Sequence, residues 1–261
     1  MILENTLFGT VDKVQIAIDR IRQFEPEEGY YVAFSGGKDS CVVLDLVKRA
    51  EVKYDAHYNL TTVDPPELVY FIREYHSDVV VENPRYTMWQ LIEKNGLPPS
   101  RLQRYCCREL KERGGKGRLC VTGVRWAESK RRSRRGMVEQ CHTDNSKRYL
   151  NPIIDWTEAD IWGHIKQNKL PYCKLYDEGF GRIGCVMCPL ANTQQQQQEE
   201  ARFPKIAEAY KRACIKAYAA CVAKGKPPKF CSNGEEMYEW FMGRFVVQIK
   251  EAEGQERFFF D

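Results

Sequence analysis

One stretch, from Tyr30 to Ala50, limits the possible folds of this chain more strongly than any other. Its opening residues, YYVAF, form a short apolar, aromatic and β-branched run of the kind found in buried strands. Ser35-Gly36-Gly37 interrupts that run, and from Cys41 onward apolar residues recur at helical spacing. The stretch therefore predicts a strand, a tight glycine turn and a helix.

A turn of this kind predicts a binding site for an anion. Glycines let the backbone approach a ligand, and the first amides of the following helix carry the positive end of its dipole. Lys38 adds a mobile positive charge, and the hydroxyls of Ser35 and Ser40 can donate to phosphate oxygens. Asp39 can bind magnesium or cap the helix. An ordinary strand-to-helix turn is the alternative interpretation. The predicted nucleotide-binding residues of this loop are Ser35, Gly36, Gly37, Lys38, Asp39 and Ser40.

The 261 residues, of which 43% are hydrophobic, suffice for one full α/β core with a small addition, or for two modest domains. The chain has no run of about 18 apolar residues, and its acidic opening residues do not resemble a signal peptide. We therefore expect a cytoplasmic protein without a membrane partner. A net charge of +4 is too small to decide the partners. Eleven cysteines without a secretion signal favour metal or redox chemistry over disulfides.

Strands that alternate with helices follow the loop, and this order predicts an α/β fold with a doubly wound parallel sheet. Ligands of such sheets bind at the carboxyl ends of the strands. Thr61, Thr62 and Asp64 occupy one such end, where they could bind a ligand or cap the next helix. We add Thr61 and Gly123, which ends another strand, to the predicted nucleotide-binding residues. The predicted strands are 30–34, 54–60, 79–81, 118–123 and 149–156.

Other apolar patterns predict helices. A helix over 11–21, capped by Thr10, is expected to pack on the sheet. Another begins after Thr157, with Asp160 at its third position. The chain is expected to divide into a nucleotide-binding domain at 1–190 and a C-terminal helical extension at 191–261. The further predicted helices are 67–76, 87–95, 204–223 and 235–251.

A basic segment follows the strand that ends at Gly123. It contains Arg125 and five basic residues between positions 130 and 135. Arginine side chains suit the geometry of sulfate and phosphate, and several together could hold a polyanion such as RNA or DNA. A solvated basic loop is the alternative. The predicted anion-binding or substrate-binding residues are Arg125, Ser129, Arg131, Arg132 and Arg135.

Two cysteine pairs give the second strong signal. Cys106 and Cys107 are adjacent, and Cys185 and Cys188 follow much later as Cys-x-x-Cys. Four thiolates are the full set of ligands for a [4Fe–4S] cluster or for a structural zinc ion. Adjacent cysteines diverge on a regular backbone, which favours a cluster with one ligand on each iron. Zinc, and thiols that bind no metal, remain alternatives.

Taken together, these motifs resemble the phosphoadenylyl sulfate (PAPS) reductase family of the adenine nucleotide alpha hydrolase superfamily. The resemblance implies a loop that grips the phosphates of ATP, with cleavage between the α and β positions. It also implies a [4Fe–4S] cluster, because the adenylyl sulfate reductases of this family hold one with a tandem pair and a later Cys-x-x-Cys. The motifs that carry the resemblance are the loop at 35–40, the two cysteine pairs, Gly123-Val-Arg125-x-x-Glu128-Ser129 and Asn151-Pro-Ile-x-Asp155-Trp156.

Two departures from the family pattern favour ATP over a sulfonucleotide. The reductases carry a catalytic cysteine in a Glu-Cys-Gly motif, which is absent from these 261 residues. Their loop is degenerate, whereas the loop here keeps the lysine that the resemblance associates with ATP. We therefore expect ATP-dependent adenylation coupled to sulfur transfer, as in tRNA thiolation or DNA phosphorothioation. Lys38, Asp39 and Arg125 are the predicted catalytic residues.

Two other functions stay open. The first is a reductase that releases sulfite from adenylyl sulfate or PAPS, with a partner's thiol or one of three cysteines as nucleophile. The second is a nucleic-acid-binding module without turnover. Expected partners are an adenine nucleotide, a tRNA or DNA acceptor, and a sulfur-donor or thiol-reductant protein; a homo-oligomer is also open. The three candidate nucleophiles are Cys214, Cys221 and Cys231.

Overall fold

The computed structural model describes residues 2–6, 9–141 and 144–244. Its strands are β1 (Leu3–Thr6), β2 (Gly9–Asp12), β3 (Tyr30–Ala33), β4 (Tyr54–Asn59), β5 (Val80–Glu82), β6 (Leu119–Val121), β7 (Val138–Gln140) and β8 (Arg148–Leu150). Its helices are α1 (Lys13–Gln23), α2 (Lys38–Ala50), α3 (Pro66–Tyr75), α4 (Met88–Asn95), α5 (Glu158–Gln167), α6 (Thr193–Arg202), α7 (Pro204–Ala223) and α8 (Gly234–Phe241). None of the described helices is long and apolar enough to cross a membrane.

The described chain forms two compact units. The first contains the residues up to Arg85 and those from Cys107 to Cys185, and the second contains Tyr86–Cys106 and the residues from Val186 onward. The sequence predicted a single boundary at residue 190. The structure differs because α4 packs against α7 and so belongs with the C-terminal helices.

The first unit is built on a six-stranded sheet in the order β5-β4-β3-β6-β8-β7. All neighbours are parallel except β7, which pairs antiparallel with β8 at the edge. The strand order runs outward in both directions from β3, so that β3 and β6 form a topological switch point. The predicted α/β fold with a doubly wound, mostly parallel sheet is confirmed. The carboxyl ends of β3 and β6 are where a ligand is expected.

Two local predictions in this unit are wrong. Thr10 lies in β2 and pairs with Asn5, and the cap of α1 is Asp12, whose carboxylate accepts a hydrogen bond from the Val14 amide. The strand predicted over 149–156 ends at Leu150. Its second half turns instead, because backbone hydrogen bonds three residues apart replace pairing with a neighbouring strand.

The second unit is helical around a buried aromatic cluster. Tyr210 of α7 is fully buried, and its ring lies 5.0 Å from that of Trp89 and 4.9 Å from that of Phe241. The predicted helix over 204–223 is present as α7. Of the helix predicted over 235–251, α8 covers the part up to Phe241, and positions 245–251 lie outside the described residues.

Candidate active site

The loop between β3 and α2 presents backbone amides without a side-chain cap. Gly36 has a φ of +70°, and a Cβ there would lie 2.7 Å from Leu68, so only glycine fits. Gly37 is the N-cap of α2 and has no side chain to cap the helix, and the Lys38 amide in the first turn donates to Tyr176 Oη instead. The Ser40 hydroxyl donates to the Gly37 carbonyl at 2.8 Å and braces the turn. A helix N-terminus of this kind favours an anion.

The loop opens into a cavity of about 650 Å³ within the first unit. Ends of β4 and β6 form other walls, as expected for ligands of a doubly wound sheet. Three of the predicted nucleotide-binding or anion-binding residues do not line the cavity. They are Gly36, which lies close to the side chains of Leu68 and Ile72, and Arg131 and Arg135. The predicted residues that line the cavity are Ser35, Gly37, Lys38, Asp39, Ser40, Thr61, Gly123, Arg125, Ser129 and Arg132.

Four charged side chains at the mouth of the loop form a closed ring of alternating sign. Arg125 donates from Nε to Asp39 Oδ1 at 2.6 Å and from its Nη2 to Glu158 Oε2 at 2.9 Å. Lys38 Nζ lies 3.6 Å from Asp39 Oδ2 and 3.3 Å from Glu158 Oε1. Both cations are buried, which strengthens these pairs relative to surface ion pairs. The ring fixes the lysine beside the helix N-terminus.

Arg125 uses all three guanidinium nitrogens within the protein. Besides its two carboxylate partners, it donates to the Trp156 carbonyl at 3.3 Å, and only 2% of the residue is exposed. Burial opposes the charge, but the Asp39 and Glu158 carboxylates raise the pKa of Arg125. Three of its five N–H donors are used in this way, and these contacts fit a positioning role toward Asp39 and Glu158.

The basic segment separates into paired and unpaired cations. Arg132 forms an ion pair with Glu128, and Arg135 with Glu139. Three other cations are exposed and have no ion-pair partner in the described part of the chain. They are Lys130, Arg131 and Arg134. Trp126 is 43% exposed, and its indole donates to the Arg135 carbonyl at 2.8 Å.

Thr61 and Asp64 do not cap the next helix, because the N-cap of α3 is Pro65, which makes no side-chain cap. The Asp64 carboxylate accepts from the Thr61 amide at 2.6 Å, which is a turn contact, and both residues also line the cavity. Thr61 Oγ1 accepts a hydrogen bond from Cys185 Sγ at 3.4 Å. One of the predicted metal ligands therefore lies beside a cavity wall.

The two predicted cysteine pairs are divided between the units. Cys106 and Cys188 belong to the second unit, and Cys107 and Cys185 to the first. Each unit by itself supplies only two of the four thiolates. Across 2–6, 9–141 and 144–244, no group of three or more His, Cys, Asp or Glu side chains is placed to hold a metal ion. Metal binding by these four cysteines therefore stays a prediction.

Three residues at the site were not predicted from the sequence. Glu158 closes the charge ring, Tyr176 Oη accepts from the Lys38 amide at 2.9 Å, and the Gly181 carbonyl accepts from Lys38 Nζ at 3.2 Å. Glu158 had only the signal of a first-turn acidic residue after the Thr157 cap. No pattern in the sequence marks the other two, since they reach the loop only through tertiary folding.

Comparison with known families identifies the domain. The model of the phosphoadenosine phosphosulfate reductase domain matches residues 29–191. Two uncharacterised proteins of Methanocaldococcus jannaschii are 29% and 30% identical, over 72% and 67% of this chain. The matches cover 42% and 44% of those proteins, so this chain spans less than half of their length.

Reductases are also among the similar proteins. An adenosine 5'-phosphosulfate reductase of Oceanobacillus iheyensis is 24% identical over 70% of this chain and 79% of its own. The crystal structure of phosphoadenylyl-sulfate reductase from Candida auris, a phosphate complex, has a TM-score of 0.50 at 18% identity. It covers 67% of this chain and 88% of that one, and this similarity shows the fold.

Proposed function

Because the chain belongs to the phosphoadenosine phosphosulfate reductase family, we propose that it is an enzyme that binds an adenine nucleotide at the loop of residues 35–40. More specifically, we propose that it cleaves ATP between the α and β phosphates to adenylate an acceptor for sulfur transfer. The N-terminus of α2 beside the buried Lys38 carries this proposal, because it offers the positive end of the helix dipole and a cation to the phosphates.

The proposed reaction has two steps. An oxygen of the acceptor attacks the α-phosphorus, the bond to the bridging oxygen breaks, and pyrophosphate leaves. A donor that supplies sulfide then displaces AMP from the activated acceptor. Lys38 would stabilise the negative charge that develops on the phosphates during the first step, and the charge ring would hold the lysine in place.

Magnesium fits this site as an ion that would bind together with the phosphates of the nucleotide. It usually takes one or two carboxylates from a protein and keeps water and phosphate oxygens as its other ligands. Asp39 would be the protein ligand, although Arg125 holds its Oδ1 and Lys38 Nζ lies 3.6 Å from its Oδ2, so that the ion would share this carboxylate with both cations. When bound, the ion would neutralise phosphate charge.

Exposed cations next to the cavity support a nucleic acid as the acceptor. Lys130, Arg131 and Arg134 are free to contact phosphates, and Trp126 offers an exposed ring for a base. These residues adjoin Ser129 and Arg132, which line the cavity. A tRNA or DNA strand on this surface would bring its reacting atom toward the nucleotide.

We also propose that the two cysteine pairs bind a [4Fe–4S] cluster, and the metal content of the protein tests this. Iron and acid-labile sulfide in anaerobically purified protein, lost on replacing any one of Cys106, Cys107, Cys185 or Cys188 by serine, would support it. Zinc in place of iron would support the alternative metal. Cys221→Ser is the matched control, because this thiol contacts the Gly96 carbonyl and is not a predicted ligand.

A sulfonucleotide reductase is the second candidate, and the reductases among the similar proteins favour it. Its internal nucleophiles have weak support. Burial raises the pKa of Cys214 to about 12 and that of Cys231 to about 11, so that both thiols stay protonated near neutral pH. Of the nucleophiles that this candidate could use, Cys221 and a partner's thiol therefore remain.

The two candidates differ in their products. Adenylation predicts exchange of labelled pyrophosphate into ATP, or AMP and pyrophosphate formation that depends on an added nucleic acid. A reductase predicts sulfite release from adenylyl sulfate or PAPS with a dithiol or thioredoxin-type donor. Sulfite release without any ATP–pyrophosphate exchange or nucleic-acid-dependent AMP formation would overturn the leading proposal.

A further inference from the structure

A tyrosine distant in sequence lies against the first turn of α2. The Lys38 amide donates to Tyr176 Oη at 2.9 Å across a separation of 138 residues. The same oxygen lies 3.5 Å from the place that a Cβ on Gly37 would occupy. Tyr176 lines the cavity together with the loop. Its hydroxyl is therefore at the anion-binding end of the helix.

The ring of Tyr176 is held in place by its neighbours. The Trp162 ring packs edge-on against it, with centroids 5.3 Å apart at an angle of 86°. In addition, Lys38 Nζ lies over the ring at 5.3 Å from its centre and donates to the Gly181 carbonyl at 3.2 Å. The hydroxyl thus has a fixed position, which a ligand-binding group needs.

The hydroxyl still has a proton to donate. A phenol can accept and donate at once, and here Lys38 occupies the accepting side, because a backbone amide can only donate. In the described part of the chain, Tyr176 Oη donates to no protein group. Burial, followed by the nearby Asp39 carboxylate, raises the pKa of Tyr176 well above its usual value, so the proton is retained near neutral pH.

We propose that Tyr176 is a further ligand-binding residue, whose hydroxyl donates to a phosphate oxygen of the bound nucleotide while it accepts from the Lys38 amide. The inference rests on the proposed nucleotide site and adds a contact to it. The recognised chemistry is a phosphate or phosphoanhydride oxygen, which ATP, adenylyl sulfate and free pyrophosphate share. Adenosine lacks it.

The test is calorimetric binding of these four ligands, with magnesium, to the wild-type chain, Tyr176→Phe and Tyr172→Phe. Tyr176→Phe removes the hydroxyl and keeps the ring. Tyr172→Phe is the matched control, because Tyr172 also packs on Trp162 but its hydroxyl donates to Asp177 at 3.0 Å and does not line the cavity. Thermal unfolding of all three proteins checks the fold.

We expect Tyr176→Phe to weaken binding of the phosphate-bearing ligands by about tenfold or more, because hydrogen bonds to charged groups are the strong ones. Adenosine binding should stay unchanged, and Tyr172→Phe should match the wild type. Unchanged binding of ATP, adenylyl sulfate and pyrophosphate by Tyr176→Phe would overturn this inference and leave the proposed function standing. Tighter binding would also overturn it, since the hydroxyl would then compete with phosphate for the Lys38 amide. Failure of the wild type to bind any of them would overturn both.

Discussion

Arg125 Nε donates to Oδ1 of Asp39 at 2.6 Å, and this bond ties the segment after β6 to the phosphate loop. The two residues are 86 positions apart. Gly123 allows the approach, because a Cβ there would lie 3.1 Å from Asp39 Cβ, closer than ordinary contact. The carboxyl ends of β3 and β6 are thus held together by a buried charge pair at the switch point of the sheet.

Replacing Arg125 with methionine should destabilise the protein. The change leaves the largely buried Asp39 without its main partner, which is costly in a low-dielectric site. Because Glu158 is 55% exposed and can be solvated, we expect a loss of about 2 kcal/mol rather than the largest values seen for buried pairs. Urea unfolding measures the change. Arg134→Met, at an exposed and unpaired position, should leave stability within about 0.5 kcal/mol.

Lys38→Ala should abolish turnover while the fold is retained. The lysine is the buried cation that the charge ring holds beside the N-terminus of α2, and loss of one such group typically costs at least about 100-fold in kcat. Lys48→Ala is the control, because Lys48 lies on the same helix and pairs with Asp78 on the surface. Pyrophosphate exchange and circular dichroism measure the two effects. Turnover by Lys38→Ala at the wild-type rate would remove this lysine from the mechanism.

Local patterns in the sequence were enough to predict the loop and the strand and helix on either side of it. The apolar run at 30–34, two glycines and a helical pattern lie within one stretch, and each depends on neighbours in the chain. Capping of α5 by Thr157 with Asp160 was predicted for the same reason, and both side chains make the expected bonds. By contrast, Asp12 displaced Thr10 as a cap because β1 and β2 pair, which is a contact between strands.

Tertiary contacts account for what the sequence did not reveal at the site. Tyr176, Gly181 and Glu158 contact Lys38 only through the tertiary fold, and none of the three belongs to a motif that the sequence shows. In the basic segment, the sequence does not show which arginines are paired with a carboxylate. Arg132 and Arg135 had the same sequence signal as Arg131, but only the structure shows that Glu128 and Glu139 neutralise them.

Charge reversal on the exposed cations should weaken polyanion binding. Changing Lys130, Arg131 and Arg134 to glutamate removes three free positive charges beside the cavity, and the affinity for RNA or DNA should fall with a shallower salt dependence. The control makes the same charge change at Lys224, Lys226 and Lys229, which are exposed in the second unit. Filter binding at several salt concentrations measures both variants. Equal losses in the two triple variants would contradict a specific surface at 130–134.

Stability should fall as the pH drops below about 6.5, the usual pKa of histidine. Burial, followed by the charge of Lys48, lowers the pKa of His76 in the folded protein. The unfolded chain therefore takes up a proton that the folded state resists, and the free energy of unfolding decreases with falling pH. The ring of His76 lies 4.7 Å from Phe34 and 5.2 Å from Phe71, so an apolar replacement fits.

His76→Phe should lose this part of the pH dependence. Urea unfolding at pH 7.5, 6.5 and 5.5 compares the two proteins. We expect the wild type to lose more stability than the variant over this range. Parallel curves would show that His76 does not titrate as its surroundings predict.

Calorimetry on anaerobically purified protein shows whether the loop at 35–40 binds ATP. ATP with magnesium is compared with adenylyl sulfate and PAPS, for the wild type and for Lys38→Ala. We predict that the wild type prefers ATP and that Lys38→Ala loses this preference. Tighter binding of a sulfonucleotide than of ATP by the wild-type protein would rule out ATP as the preferred ligand and favour the reductase.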